Sequence, residues 1–109
     1  MPRDGLGQFE LIVALAVLRV GSDAYGVPIS EEIESRLGRD VAVGSVYATL
    51  DRLESKGLLT SRMGDPTPER GGRRKRYFQV TADGLETIRE TRQVLDQMWG
   101  DLPETGEPA

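Results

Sequence analysis

The chain has 109 residues, no cysteine, no histidine and a formal net charge of −4. That length supports one domain with a core, but not also an enclosed active site of much volume. The two missing residue types remove disulfides, thiolate metal ligands and the ordinary parts of zinc sites and nucleophilic triads, so neither an enzyme nor a bound metal or cofactor is expected.

Residues 6–20 have the composition and length of a helix, with apolar side chains in nearly every direction between Leu11 and Leu18. Such a helix needs cover on more than one side, and a second subunit is expected to supply part of it. The apolar run is eight residues, well short of the roughly 20 that cross a bilayer. Glu10 directly precedes it, so no secretory leader is expected either, and cytoplasmic residence is the default. A Gly-Ser-Asp loop ends the helix. The second helix is expected from Val27 to Leu37, with Pro28 in its first turn, Gly38 as C-cap and Ile29, Ile33 and Leu37 as its buried stripe. A third, from Val43 to Lys56, carries Val46, Leu50 and Leu53 inward and leaves Ser45, Ala48, Thr49 and Arg52 outward. Strands over 58–63 and 75–80 follow, separated by a loop over 64–72 with two prolines and three glycines. Thr81 is placed to cap a final helix that runs to about Trp99, and the Pro- and acid-rich tail beyond it should fray.

Gly71 and Gly72 precede four consecutive cations, Arg73, Arg74, Lys75 and Arg76. From Arg39 to Phe78 nine cations face five carboxylates, a balance of +4, whereas everything outside that window carries −8. Segregation of this kind draws a polyphosphate to one face; the plain alternative is a solvated surface hairpin. Three helices followed by a hairpin, with small polar residues and an arginine on the third helix, is the order of a winged helix-turn-helix. Gly44, Ser45 and Ala48 make that helix slim enough for a major groove about 12 Å wide, and the hairpin cations suit neighbouring phosphates.

Tyr25-Gly26-Val27-Pro28-Ile29, the helix Val43-Gly44-Ser45-Val46-Tyr47-Ala48-Thr49-Leu50-Asp51-Arg52-Leu53 with Gly57-Leu58 behind it, and Gly71-Gly72-Arg73-Arg74-Lys75-Arg76-Tyr77-Phe78 with Thr81 and Gly84 together resemble the PadR family of bacterial transcriptional regulators, over about residues 9 to 99. The resemblance implies a homodimeric repressor of the short type that binds a palindromic operator in double-stranded DNA and releases it to a small hydrophobic effector. Ser45, Tyr47, Ala48, Thr49 and Arg52 then belong to the recognition helix, and Gly72, Arg73, Arg74 and Lys75 to the wing. Family members commonly carry proline at the position of Ala48, histidine at Asp51 and threonine at Ser45, so the base preference does not transfer.

The expected fold is therefore mainly α with a small β-hairpin: a winged helix-turn-helix over 1–80, a C-terminal dimerisation helix over 81–100 and a flexible tail over 101–109. Leu85, Ile88, Leu95, Met98 and Trp99 recur at helical spacing and are expected to pack on the partner's first helix around Phe9, Ile12, Val13 and Ala16. Trp99, with Phe9 near it, is the candidate for stacking an effector, against the alternative of an ordinary interface aromatic. Tyr47 either packs on the hairpin or reaches a phosphate, and Arg52 and Lys56 either bind DNA or pair with Glu54 or another local carboxylate. A rival function is a winged-helix module that holds a protein partner.

Overall fold

The computed structural model describes residues 5–65 and 74–103. Four helices and one hairpin follow in the expected order: α1 Gln8–Val20, a 3-10 turn Gly21–Asp23, α2 Gly26–Leu37, α3 Val43–Ser55, β1 Leu59–Met63, β2 Arg76–Val80 and α4 Ala82–Trp99. Glycine ends both α1 and α2. Gly21 has φ +80° and Gly38 φ +68°, a region open to glycine at little cost, and the Gly38 amide donates to Glu34 O at 2.9 Å. Pro28 falls in the first turn of α2, where its missing donor costs no helical hydrogen bond. The turn into α3 is closed from α2, because the Val41 amide donates to Glu34 Oε2 at 2.9 Å.

The core gathers Val13 and Val17 of α1, Ile29 and Ile33 of α2, and Val46, Leu50 and Leu53 of α3, with Leu58, Leu59, Phe78 and Ile88 around them. β1 and β2 pair antiparallel with Ser61 opposite Phe78 and Arg62 opposite Tyr77. The Phe78 amide donates to Ala24 O at 2.8 Å, so the segment before α2 leans on β2.

Thr81 caps α4 as its position suggests. Its hydroxyl accepts from the Gly84 amide at 3.0 Å and donates to Gly57 O at 2.7 Å, while the Thr81 amide donates to Leu58 O at 3.0 Å. These bonds lay the start of α4 across the α3–β1 turn. Gly84, Thr87, Ile88 and Thr91 are buried there, and Thr91 Oγ1 accepts from the Leu6 amide at 3.1 Å.

Several interface expectations change as a result. Val13, Ala16 and Ile88 lie in the protomer's own core, since α1 is enclosed by α2, α3, β2 and the first half of α4 of the same chain. A helix apolar all round offers no stripe from which its inward side could be read. Phe9 and Ile12 are half-buried against that core, and Leu85 is half-buried on α4. Leu95, Met98 and Trp99 stand exposed with Val94 on the outer half of α4, Leu102 is exposed just beyond its end, and Leu15 and Leu18 are exposed on α1. Leu37, expected inward, is also exposed, at the C-terminal end of α2.

Candidate nucleic-acid interface

The outward side of α3 begins with Val43, Gly44 and Ser45 and continues through Tyr47 and Ala48, all exposed. Nothing lies within 4 Å of a methyl built on Gly44, so the first turn of the helix stands clear. Thr49 corrects the outward set. It is 2% exposed, and its hydroxyl donates to Ser45 O at 2.8 Å. The inward stripe runs 46, 49, 50, 53, the three-and-four spacing of a packed helix face, and Thr49 satisfies its hydroxyl on its own helix so that burial leaves nothing unpaired.

Tyr47 packs on the start of α2 and not on the hairpin. Its ring and hydroxyl lie against Gly26, filling the space that a β-carbon at Gly26 would need. The Tyr-Gly pair at the start of α2 is therefore half of a contact whose other half is on α3. Tyr25, the neighbouring residue, meets Tyr77 of β2 edge to face with centroids 5.6 Å apart, and Lys75 Nζ lies 4.6 Å from the Tyr25 ring centre. Arg62 stacks on the other ring, 4.7 Å from the centre of Tyr77. Such cation–ring contacts contribute about 0.5–1 kcal/mol each when exposed. A continuous surface thus runs from Ser45 and Ala48 over Tyr47 to Tyr25, Lys75 and the root of the hairpin.

At that root the Gly64 amide donates to Lys75 O at 2.7 Å, and Arg74 Nε donates to Gly64 O at 2.8 Å. Gly72 and Arg73 lie outside the described residues. Arg76, last of the basic run, turns inward. It donates to Asp51 Oδ1 at 2.8 Å, to Ser61 Oγ at 3.1 Å and to Glu54 Oε1, and Ser61 Oγ donates in turn to Glu54 Oε2 at 2.6 Å. The hydrogen bond to Asp51 leads the causes that raise the Arg76 pKa above its ordinary value. This cluster pins β2 to α3, and the period of two in a strand could have found it: Arg76 shares a face with buried Phe78.

Arg52 and Lys56 pair with a carboxylate, but not with Glu54. Both reach Glu10 of α1: Arg52 Nε lies 3.2 Å and Lys56 Nζ 2.8 Å from Glu10 Oε2. The hydrogen bond from Lys56 is the first cause that holds the Glu10 carboxyl below its usual range. No periodicity signals a pair separated by more than 40 residues.

Two concavities flank this surface. One, about 530 Å3, lies between the end of α1 and the hairpin and is lined by Leu18, Ser22, Thr60, Arg62, Tyr77 and Gln79 among others. The other, about 280 Å3, is lined by Phe9, Arg39, Asp40, Val41, Ala42 and Ser45. Phe9 thus opens beside the start of α3, whereas Trp99 stands 70% exposed on the outer end of α4 and takes no part in that lining. Among the described residues no group of three or more acidic side chains is placed to hold a metal, and no helix is long and apolar enough to cross a membrane.

Comparison with known proteins bears on this geometry. The model of the transcriptional regulator PadR-like family matches residues 14–90. The transcriptional regulator Rv3488 of Mycobacterium tuberculosis is 34% identical over 90 residues, which cover 79% of this chain and 78% of the relative. Among solved structures, a PadR family transcriptional regulator from Eggerthella lenta superposes with a TM-score of 0.62 at 29% identity, over 86% of this chain and 82% of that one. BpsR of Bordetella bronchiseptica, whose DNA binding is regulated by 6-hydroxynicotinic acid, shares the fold with a TM-score of 0.62 at 20% identity, over 97% of this chain and 74% of that one.

Proposed function

The chain belongs to the PadR-like family of transcriptional regulators, and we propose from this that it works as a homodimeric repressor in which α3 and the hairpin of each protomer meet one palindromic duplex. The observation that carries the reading is the continuous surface joining Ser45 and Ala48 to Lys75 through the Tyr47–Gly26 and Tyr25–Tyr77 contacts. A recognition helix reads bases only where its register on the duplex is fixed, and a wing pinned by Arg76 to Asp51 and Glu54 supplies a second point of support. Ser45 and Ala48 take the base-facing role. Arg73, Arg74 and Lys75 take the phosphates, with Gly72 assigned to the wing beside them. Tyr47 shapes the helix's approach, and Arg52 joins only as far as a phosphate draws it from Glu10.

Dimerisation is assigned to the exposed strip of Val94, Leu95, Met98, Trp99 and Leu102, together with Leu15 and Leu18. Several large apolar side chains on the outer half of one helix find no cover among the described residues, and a two-fold partner would bury them. Release by a small planar effector completes the proposal. Its support is the exposed Trp99, the concavity at Phe9 beside the recognition helix, and the regulation of BpsR by an aromatic acid.

Fluorescence anisotropy tests the DNA-binding part, with the duplex upstream of the chain's own gene compared with a scrambled duplex across a salt series. The upstream duplex should bind more tightly, and affinity should fall steeply with salt. Substitutions at Ser45 or Ala48 should change the ranking of sequences, whereas Arg74→Ala should weaken both duplexes alike and flatten the slope. Equal affinity for the two duplexes with no salt dependence would overturn the reading.

A further inference from the structure

We infer that Glu10 is a specificity-determining residue: it holds Arg52 and Lys56 of the recognition helix against α1 and so withholds two cations from sequence-independent phosphate binding. The inference rests on the DNA-binding reading and goes beyond it, because it gives a residue outside both the recognition helix and the wing control over how strongly any duplex is held.

The geometry is that of a clamp. One carboxylate oxygen, Oε2, takes both cations at 3.2 and 2.8 Å, while the other, Oε1, accepts the Gly7 amide at 3.1 Å at the start of α1. The Glu10 side chain is only 13% exposed, whereas those of Arg52 and Lys56 are 54% and 47% exposed. The acid therefore sits beneath the two bases, and a phosphate arriving from solvent must compete with a negative charge already in place. Arg52 is held from a second direction, its Nη2 donating to Thr49 Oγ1 at 3.3 Å. Lys56 lies one turn beyond Arg52 on the same side of the chain's third helix, so the two reach the same carboxylate by helical spacing alone.

The consequence follows from how cations bind DNA. Each phosphate neutralised by a free lysine or arginine steepens the dependence of log K on log salt by about 0.9, and it does so for every sequence. Cations committed to Glu10 contribute less than that. Affinity spread over all sequences lowers the ratio by which a regulator finds its operator among competing sites, and that ratio, not the dissociation constant alone, decides occupancy. A clamp on Arg52 and Lys56 lowers the common part and leaves base reading by Ser45 and Ala48 intact.

The test is Glu10→Gln, which keeps an oxygen for the Gly7 amide and removes only the charge. Anisotropy titrations with a labelled random-sequence duplex should show a salt slope steeper by about 1–2 per protomer, and affinity raised roughly tenfold at moderate salt. The preference for the upstream duplex over the random one should shrink. Returning one cation to silence in the variant, as Glu10→Gln with Lys56→Gln, should take back about one unit of that slope. If Glu10→Gln melts below the assay temperature, Lys56→Gln alone carries the test, and its salt slope should differ from that of the unsubstituted protein by well under 0.9. The inference is overturned by a Glu10→Gln protein, folded by circular dichroism, whose slope and random-sequence affinity match the unsubstituted protein. It is equally overturned by a full loss of about 0.9 in slope from Lys56→Gln. An unsubstituted protein that binds neither duplex would instead overturn the DNA-binding reading on which the clamp depends.

Discussion

Gly84 stands in the first turn of α4, and by helix propensity its replacement by alanine should stabilise the protein by up to about 1 kcal/mol. The structure predicts the opposite sign. A methyl built on Gly84 would lie 2.9 Å from Val80 Cγ1 and 3.0 Å from the Leu58 carbonyl carbon, and closer still to the Leu58 oxygen, where ordinary contacts begin at 3.4 Å. The start of α4 would have to retreat by at least half an ångström, and Leu58 is backbone that cannot swing aside. That retreat stretches the bond from the Thr81 amide to Leu58 O, already 3.0 Å long, and the one from Thr81 Oγ1 to Gly57 O. Overpacking of this kind costs about 1–3 kcal/mol. One weakened hydrogen bond adds about 1 kcal/mol, and the propensity gain offsets a similar amount. The expected net loss is about 1–3 kcal/mol, read by urea unfolding at fixed protomer concentration as a lower midpoint with unchanged slope. Gly44→Ala is the control, because it sits in α3 with open space around it and should gain a few tenths of a kcal/mol up to about 1. A Gly84→Ala protein as stable as the unsubstituted one, or one that gains like Gly44→Ala, would refute the close packing of α4 on the α3–β1 turn.

Arg76→Gln should destabilise the protein by about 1–2 kcal/mol in urea, since it leaves Asp51 and Glu54 facing each other without their cation. It should also weaken DNA binding more than the loss of one surface charge would, because the wing loses its anchor on α3. The Glu10 carboxyl is held below its ordinary 4.5 by Lys56 and Arg52, so the folded chain gives up this proton at lower pH than the unfolded chain. Its stabilisation is therefore complete above the unfolded value and is lost as pH falls below it. The stability gap between the unsubstituted protein and Glu10→Gln, about 1 kcal/mol at neutral pH, should close on acidification, and a gap that stays constant would contradict the pairing. Met98→Glu should reduce the mass seen by light scattering to that of one protomer while leaving helical circular dichroism intact, since Met98 is exposed in the protomer. Val13→Glu, at a fully buried position, should unfold the protein instead.

The order of elements was legible in the sequence because glycine and proline punctuate it and because α2 and α3 carry apolar residues at helical spacing. The hairpin was legible from its glycines and from the alternation through Tyr77, Phe78 and Val80. Less legible were the contacts that join elements. Thr49 looks like a surface residue until it is seen to share the buried face of Val46, Leu50 and Leu53 and its hydroxyl to bond Ser45 O. Val13 and Ala16 read as interface positions yet lie in the protomer's core, because an all-round apolar helix gives no direction to either. Four cations in a row read as one basic patch, yet Arg76 serves the hairpin's own anchorage and Lys75 lies on the Tyr25 ring. Gly84 occupies the place where a capping box would carry Glu or Gln, and the reason is steric: the Leu58 carbonyl leaves no room for a side chain.

Hydroxyl-radical footprinting of the duplex upstream of the gene asks whether α3 and the wing of two protomers face one DNA. Two matching protected patches are expected, related by a dyad and separated by about one helical turn, 10–10.5 base pairs, with protection weakened in Arg74→Ala. A single unpaired patch, or uniform protection without a dyad, would contradict it.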